Sequence, residues 1–149
     1  MKKLMAVLAA SISLLTLGCA TTYTSADESV SGGYTETRLA PDTYLVRIEG
    51  NGFTTRGEVE QFAMRRCAEL TLEQGKRYFI LERHTAWLET RLTRDGASSR
   101  PRNEAVVTAV DAKSADTFDA ISIIEETNKI ANGKLSQKAK QTLATLSDV

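Results

Sequence analysis

The N-terminal apolar run most constrains what this 149-residue chain can fold into. Lys2 and Lys3 precede an uncharged, mostly apolar segment over residues 4–17. This segment is shorter than the roughly 20 apolar residues that a membrane-spanning helix needs. A positive start, a short apolar run and a small residue at its end are typical of a secretory signal peptide. We therefore predict that residues 1–18 are removed and that residues 19–149 supply one modest folded domain.

A cysteine follows the small residue at the end of this segment. The string Leu17-Gly18-Cys19-Ala20 resembles the lipobox of bacterial lipoproteins, although Thr16 stands where that motif usually carries leucine. The resemblance implies cleavage between Gly18 and Cys19, a diacylglyceryl group on the Cys19 thiol, and a fatty acid such as palmitate on the new N-terminus. Ala20, in place of Asp, resembles the pattern that sorts lipoproteins to the periplasmic face of the outer membrane. The alternative is an ordinary signal peptide with an incidental cysteine.

Charge and composition argue against several kinds of partner. The chain has 19 basic and 19 acidic side chains, and its two N-terminal lysines lie in the signal segment. Because both signs are interspersed without a basic block, no nucleic-acid partner is expected. The near-neutral balance also disfavours strong electrostatic binding to anionic lipid. We expect attachment through acyl chains on Cys19, since stable anchoring requires two or more chains.

The remaining thiol and the single histidine suggest no metal site and no cofactor. If Cys19 carries lipid, Cys67 has no partner for an intrachain disulfide. A lone exposed thiol is a liability in an oxidising compartment, so we predict that Cys67 is buried on the apolar stripe of a helix. The alternative is a redox role or an intermolecular disulfide. His84 lacks a second histidine or a neighbouring cysteine with which to bind zinc.

The pattern of residues divides the mature chain into three parts. Residues 19–33 are small and polar, which predicts a lipid-anchored flexible tether with an end-to-end distance of about 20 Å. Residues 34–113 carry strand and helix patterns and should form the core. Residues 114–149 carry a helical period and should pack on the core or extend from it.

The core begins with an extended segment and an alternating strand. Residues 34–41 approach a strand over residues 44–49, in which Tyr44, Val46 and Ile48 share one face. Thr55 and Glu58 have the spacing of a capping box, which predicts a helix over residues 56–74. Gly75 then supplies a left-handed C-cap.

The second half of the core predicts further strands. Residues 78–81 form a strand that continues or folds back over residues 82–93. Turn residues without an apolar pattern predict an exposed loop over 95–103, followed by a strand over 105–112. The C-terminal part then predicts a helix over 116–132 that Gly133 ends, and a short helix that Ser136 caps.

This order of elements predicts an α+β fold. The expected sheet is small and mixed, with three to four strands, a βαβ core and a hairpin. Because the first two strands flank a helix, the βαβ core should make a right-handed parallel crossover. Helices should cover one face, with a further C-terminal helical segment.

One turn could bind an anion. The string Gly50-Asn51-Gly52-Phe53-Thr54-Thr55 joins a strand to a helix N-terminus, where free amides favour negative charge. A dinucleotide-binding loop would need glycine where Thr55 stands, so a structural turn is the favoured interpretation. The alternative is a ligand loop formed by Gly50, Asn51, Gly52, Thr55 and Arg56.

The sequence shows no catalytic constellation, and we expect no enzyme. The alternative is a small envelope hydrolase or transferase that uses His84 with Glu82, since alternate residues of a strand share a face. Five arginines in the middle of the chain have carboxylates near them in the sequence. This pattern predicts a solvated face with cross-strand ion pairs. The alternative there is a surface for anionic envelope groups of lipopolysaccharide or peptidoglycan. The arginines are Arg83, Arg91, Arg94, Arg100 and Arg102.

Several strings resemble a family of small, functionally uncharacterised proteobacterial lipoproteins. The resemblance covers about a third of the chain and fades after Trp87. It implies a lipoprotein with a strand–helix–strand core and brings no catalytic residues. From the anchor, the tether and the lack of a catalytic constellation, we predict a non-catalytic binding or interaction module for an envelope protein or glycan. The strings are Gly33-Tyr34-Thr35-Glu36-Thr37-Arg38-Leu39, Tyr44-Leu45-Val46-Arg47, Gly50-Asn51-Gly52-Phe53-Thr54, and Ala68-Glu69-Leu70-Thr71-Leu72-Glu73-Gln74-Gly75 with Tyr78-Phe79.

Overall fold

The computed structural model describes residues 20–132 and 134–147, which form a five-stranded sheet with three α-helices. The predicted α+β class is confirmed, with one strand more than expected. The sheet order is β1-β2-β4-β3-β5. The strands are β1 (Gly33–Ala40), β2 (Thr43–Glu49), β3 (Tyr78–Thr93), β4 (Gly96–Val110) and β5 (Phe118–Asp119). The helices are α1 (Arg56–Glu73), α2 (Ala120–Glu126) and α3 (Gln137–Ser147).

The strand–helix–strand unit differs from the predicted crossover. β2 and β3 run in the same direction, but β4 lies between them and pairs antiparallel with both. Every neighbouring pair in the sheet is therefore antiparallel, and the prediction of a mixed sheet with direct parallel pairing is wrong. β4 follows β3 through a tight hairpin and lies between β3 and β2. In this position the backbone N–H and C=O groups on both edges of β4 can form hydrogen bonds.

Helix α1 lies across one face of the sheet and begins and ends as predicted. Thr55 Oγ1 accepts a hydrogen bond from Glu58 N at 3.2 Å, and Glu58 Oε2 accepts one from Thr55 N at 2.7 Å. Gly75 has a φ of 78°, in the left-handed region. The core lies between α1 and the sheet; its fully buried side chains include Val46, Ile48, Val59, Ala63, Cys67, Phe79, Ala105 and Val107.

The C-terminal helices pack on α1. The helix predicted over 116–132 forms only over Ala120–Glu126, because the residues before it pair with the start of β3 as β5. Ser136 caps α3 as predicted, since its Oγ accepts a hydrogen bond from Ala139 N at 3.2 Å. Ala139 is fully buried, and Leu143 and Leu146 pack against the core. The predicted helix end at Gly133 lies outside the described residues.

The predicted loop over 95–103 is instead the first half of β4. β3 and β4 pair from Tyr78–Val110 to Thr93–Gly96, so the chain turns at residues 94–95. Sheet pairing of β4 with β2 stops at Arg102, and beyond it β3 and β4 continue alone. We call residues 88–101 the arm. Because residues 95–101 of the arm have no buried face apart from Pro101 at its base, no alternation of apolar residues marks them as strand.

The segment over residues 20–33 is folded on the domain, which corrects the predicted tether. Thr21 and Tyr23 are buried, and residues 26–28 form a short 3₁₀ turn. Ser25 forms a bridge with Tyr34 in β1. The buried side chains of Thr21 and Tyr23 attach this segment to the domain. The average composition of the segment, which is small and polar, does not reveal two isolated buried residues.

No helix among residues 20–132 and 134–147 is long and apolar enough to cross a membrane.

Candidate functional sites

The predicted lipid-attachment and cleavage residues, Cys19 and Gly18, lie outside the described residues. Thr21, two residues after Cys19 in the sequence, is hydrogen-bonded within the domain. Thr21 N donates to Thr54 Oγ1 at 2.9 Å, and Thr21 Oγ1 donates to Ser31 O at 2.7 Å. Asn51 N in turn donates to Thr21 Oγ1 at 2.9 Å. Thr21 is therefore tied to the turn that precedes α1.

The internal hydrogen bonds of this turn favour the structural interpretation over an anion loop. Phe53 N donates to Asn51 Oδ1 at 2.9 Å, and Thr54 N donates to Asn51 O at 3.2 Å. The capping box uses the amides of Thr55 and Glu58. These four amides therefore have acceptors within the turn and the capping box.

The remaining residues of the candidate loop are also explained by local structure. Arg56 Nη2 donates to Ala86 O at 2.9 Å, so this guanidinium ties α1 to β3. A Cβ at Gly50 would lie 2.7 Å from Pro101 Cγ, so glycine is required there for close approach. Gly52 has no atom within 4 Å of its Cβ position and no left-handed φ, contrary to the expected backbone role.

The pair of His84 and Glu82, which the alternative of a small hydrolase or transferase requires, does not form. The register of β3 on β4 shifts between Leu81 and Arg83, so Glu82 is the extra residue of a β-bulge. His84 then shares the α1 side of the sheet, where its Nε2 lies 3.0 Å from Asn103 Nδ2. Glu82 Oε1 accepts a hydrogen bond from Thr108 Oγ1 at 2.6 Å on the other face. Glu82 and His84 therefore lie on opposite faces of the sheet and cannot act together as an acid–base pair.

The predicted cross-strand ion pairs are present on the face opposite α1. Glu104 accepts from Arg47 at 2.9 Å and also pairs with Arg83 at 3.7 Å. Arg102 is held between Glu49 and Glu89. Burial lowers the pKa of the Arg102 guanidinium from its ordinary value. These carboxylates neutralise Arg47, Arg83 and Arg102, which favours a solvated face over an anion-binding surface in this part of the sheet.

A buried ionic cluster that no sequence pattern predicts lies at the centre of α1. Arg65 is fully buried, and its Nε donates to Glu69 Oε1 at 2.8 Å. Its Nη1 donates to Ile124 O and its Nη2 to Lys134 O, each at 2.8 Å. Arg65 thus satisfies carbonyls at the end of α2 and before α3, and it connects the C-terminal helices to α1.

Glu69 is the shared acceptor of this cluster. Its Oε2 accepts from Tyr23 Oη at 2.6 Å and from Arg66 Nη1 at 2.9 Å. Arg66 Nη2 also donates to Glu36 Oε1 at 2.9 Å, so β1 joins the cluster. Burial, with the nearby Glu69 carboxylate, raises the pKa of Tyr23 far above its ordinary value of 10. Tyr23 therefore stays protonated and remains a donor.

A polar cleft of about 560 Å³ lies above this cluster. Tyr23 and Tyr34 are on its floor with ring centroids 5.0 Å apart, and the Arg66 guanidinium lies 4.9 Å from the Tyr34 centroid. Burial also raises the pKa of Tyr34. Side chains of both charges line the rest of the cleft: Glu28, Glu73, Lys134 and Lys140.

Cys67 is buried as predicted, on the core side of α1. Burial raises the pKa of its thiol to about 12, which disfavours the reactive thiolate.

The cluster and the cleft were missed because the signal in the sequence is weak. Arg65 and Glu69 have the i, i+4 spacing of an ordinary surface ion pair. One feature of the sequence could have indicated the cluster. Nearly every residue between Phe62 and Leu72 is next to an apolar residue in the sequence, which is typical of a helix that is buried on more than one side. Tyr23 carries no local pattern at all.

Comparison with protein families, curated proteins and solved structures finds no match for this chain. Within the described ranges, no group of three or more histidine, cysteine, aspartate or glutamate residues is arranged to hold a metal ion.

Proposed function

We propose that this protein is a lipid-anchored bacterial envelope lipoprotein on the periplasmic face of the outer membrane, and that its domain is a non-catalytic binding or interaction module. The observation that carries the proposal is the position of Cys19 at the end of a short apolar signal segment, two residues before Thr21 is fixed in the fold. Cleavage before Cys19 would therefore leave the whole described domain intact.

The cleft supports the part of the proposal that concerns binding. It combines two tyrosine rings, an arginine and side chains of both charges, which suits a polar envelope ligand with donor and acceptor groups. No catalytic pair supports the rival enzyme, because Glu82 is directed away from His84.

The anchoring proposal is tested with Cys19→Ala. The variant should lose acyl labelling and move from the membrane fraction to the soluble envelope fraction. Cys67→Ala is the matched control, since it removes the other cysteine and should leave the acylated protein in membranes. Unchanged fractionation and labelling of Cys19→Ala would contradict the proposal.

Ligand binding is tested by thermal unfolding of the full chain with muropeptide fragments, inorganic phosphate and nucleotides. A ligand of the folded state at a hundred times its dissociation constant adds about 2.7 kcal/mol of stability. We expect muropeptide fragments to stabilise the protein, and Tyr34→Ala in the cleft to remove the effect. An equal response of Tyr34→Ala and the unchanged chain would place binding elsewhere, and no response to any probe would contradict a small polar ligand.

A further inference from the structure

One end of the molecule gathers most of its exposed apolar side chains. A row across the sheet, formed by Gly33, Glu49, Arg102 and Trp87, marks this end. Of the seven large apolar side chains exposed within the described residues, five lie at or beyond this row. These five are Val30, Phe53, Trp87, Leu88 and Leu92.

The same end of the molecule holds Thr21. Thr21 is hydrogen-bonded to Asn51 and Thr54, in the turn that follows β2, and to Ser31, next to Val30. Two residues of extended chain span at most about 7 Å, so the Cα of Cys19 must lie within about that distance of the Cα of Thr21. The end of the molecule with the exposed apolar groups is therefore the end to which lipid would be attached.

The arm extends farther in this direction than the attachment point can. Leu88–Thr93 of β3 are six residues, which span about 20 Å at the rise of a β-strand. Gly50 N donates to Pro101 O at 2.9 Å, so the base of the arm lies beside the turn that holds Thr21. A bilayer that lies across this end of the molecule, with its anchor within about 7 Å of Thr21, would therefore meet the arm.

The composition of the arm suits the interfacial region of a bilayer. Leu88 and Leu92 lie among polar residues, and Leu92 is 86% exposed. Three arginines against two carboxylates give the arm a positive balance, and arginines can reach lipid phosphates while their stems cover apolar surface. Beyond the hydrogen bond between Gly50 and Pro101, the outer edges of the two strands have no neighbouring strand, which excludes the hydrocarbon centre but is compatible with hydrated headgroups.

We propose that the arm, with Phe53 and Val30, is a membrane-contacting surface that lies in the headgroup region of the bilayer in which Cys19 is anchored. This proposal rests on the proposed lipid anchor. It implies that the protein is held at two places, so that the sheet stands on the membrane with its β5 end directed away. The cleft beside α1 and α3 would then have a defined orientation to the surface.

The test uses fluorescence quenching by lipids that carry bromine on their acyl chains. Trp87 is the only tryptophan of the chain, so Trp87→Phe provides a background without tryptophan. Leu92→Trp in this background places the probe near the arm tip. Phe118→Trp is the matched control, since Phe118 is also exposed but pairs with Phe79, about 40 Å from Leu92 along β3.

Each acylated full-length variant is reconstituted in vesicles of phosphatidylethanolamine and phosphatidylglycerol after mass spectrometry of its N-terminus. We expect a blue shift and loss of emission for Leu92→Trp with brominated lipid, and no loss for Phe118→Trp. Trp87 in the unsubstituted chain gives a second measurement and should lose less emission than Leu92→Trp. Acylated, vesicle-bound protein without quenching at Leu92→Trp, or with equal quenching at Phe118→Trp, would overturn the proposal. A chain without acyl groups would instead overturn the proposed function, and this inference with it.

Discussion

The centre of α1 and the arm differ in which side chains they bury: the centre of α1 buries charged side chains, whereas the arm exposes apolar ones. At the centre of α1, Arg65 and Glu69 are almost fully buried, and each polar atom of the Arg65 guanidinium has an acceptor. In the arm, Leu88 and Leu92 are exposed to solvent. Burying charge is costly unless it is paired, whereas exposing one leucine costs the fold little. The comparison indicates that the first region stabilises the domain and that the second is free to contact something else.

The largest expected effect comes from opening the buried cluster. Arg65→Ala would leave Glu69 with one cation fewer and two carbonyls without their donor, and should lower the free energy of unfolding by about 3–5 kcal/mol. Arg47→Ala removes an exposed ion pair with Glu104 and is the matched control, with an expected loss below about 1 kcal/mol. Urea unfolding measures both. If the two variants lose the same free energy of unfolding, the buried cluster contributes no more to stability than an exposed ion pair.

The pH dependence of stability should also follow from the buried core. The pKa of Cys67 is raised to about 12 in the folded protein, so its contribution is complete below the unfolded value near 9 and is lost as pH rises from there. Above pH 9 the unfolded chain binds fewer protons than the folded one, and stability should fall by about 1.4 kcal/mol per pH unit. Tyr23, whose pKa is raised from 10, should add to the slope above pH 10.

The slope is measured by unfolding at several pH values between 8 and 11. Cys67→Ala should lower stability at every pH by leaving a small cavity, but it should reduce the slope just above pH 9. A slope that the substitution leaves unchanged would assign the titration to other groups.

A smaller effect should separate the two glycines beside the arm. Gly50→Ala would force its Cβ against Pro101 at the base of the arm and should cost about 1–3 kcal/mol. Gly52→Ala meets no neighbouring atom and has no left-handed φ to oppose it, so it should be neutral or slightly stabilising. Thermal unfolding compares the two variants. A larger loss at Gly52 would restore the backbone role that its sequence context suggested.

The smallest effect on stability should come from the arm itself. Leu92→Ser removes an exposed apolar side chain and should change the free energy of unfolding by less than about 0.5 kcal/mol. The same substitution should weaken contact with vesicles if the arm meets the bilayer. A large loss of stability would mean that Leu92 packs in the fold, and would remove the contrast between the two regions.

Local signals predicted the first half of the fold well and the second half poorly. The capping box of Thr55 and Glu58 and the left-handed Gly75 depend on neighbours within a few residues, and both form as predicted. β4 was assigned as a loop over its first half because its residues are exposed on both faces. Only pairing with β3 makes that segment a strand, and pairing partners are not encoded in local periodicity.

The candidate sites show the same division. The spacing in sequence placed Glu82 and His84 on one face, but a single bulged residue in β3 separates them. Tyr23 appeared as part of a tether, yet it donates a hydrogen bond to Glu69, 46 residues along the chain. Such contacts arise from chain segments distant in sequence.

The amino-acid sequence by itself determined the strand of β2, the limits of α1 and the burial of Cys67, because each depends on composition or on short-range periodicity. The tertiary structure alone decided that β4 lies between β2 and β3, that Thr21 and Tyr23 fold onto the domain, and that Arg65 and Glu69 are buried together. The physical reason is that pairing of strands and desolvation of charge depend on which distant groups come into contact, and that information exists only once the chain has folded.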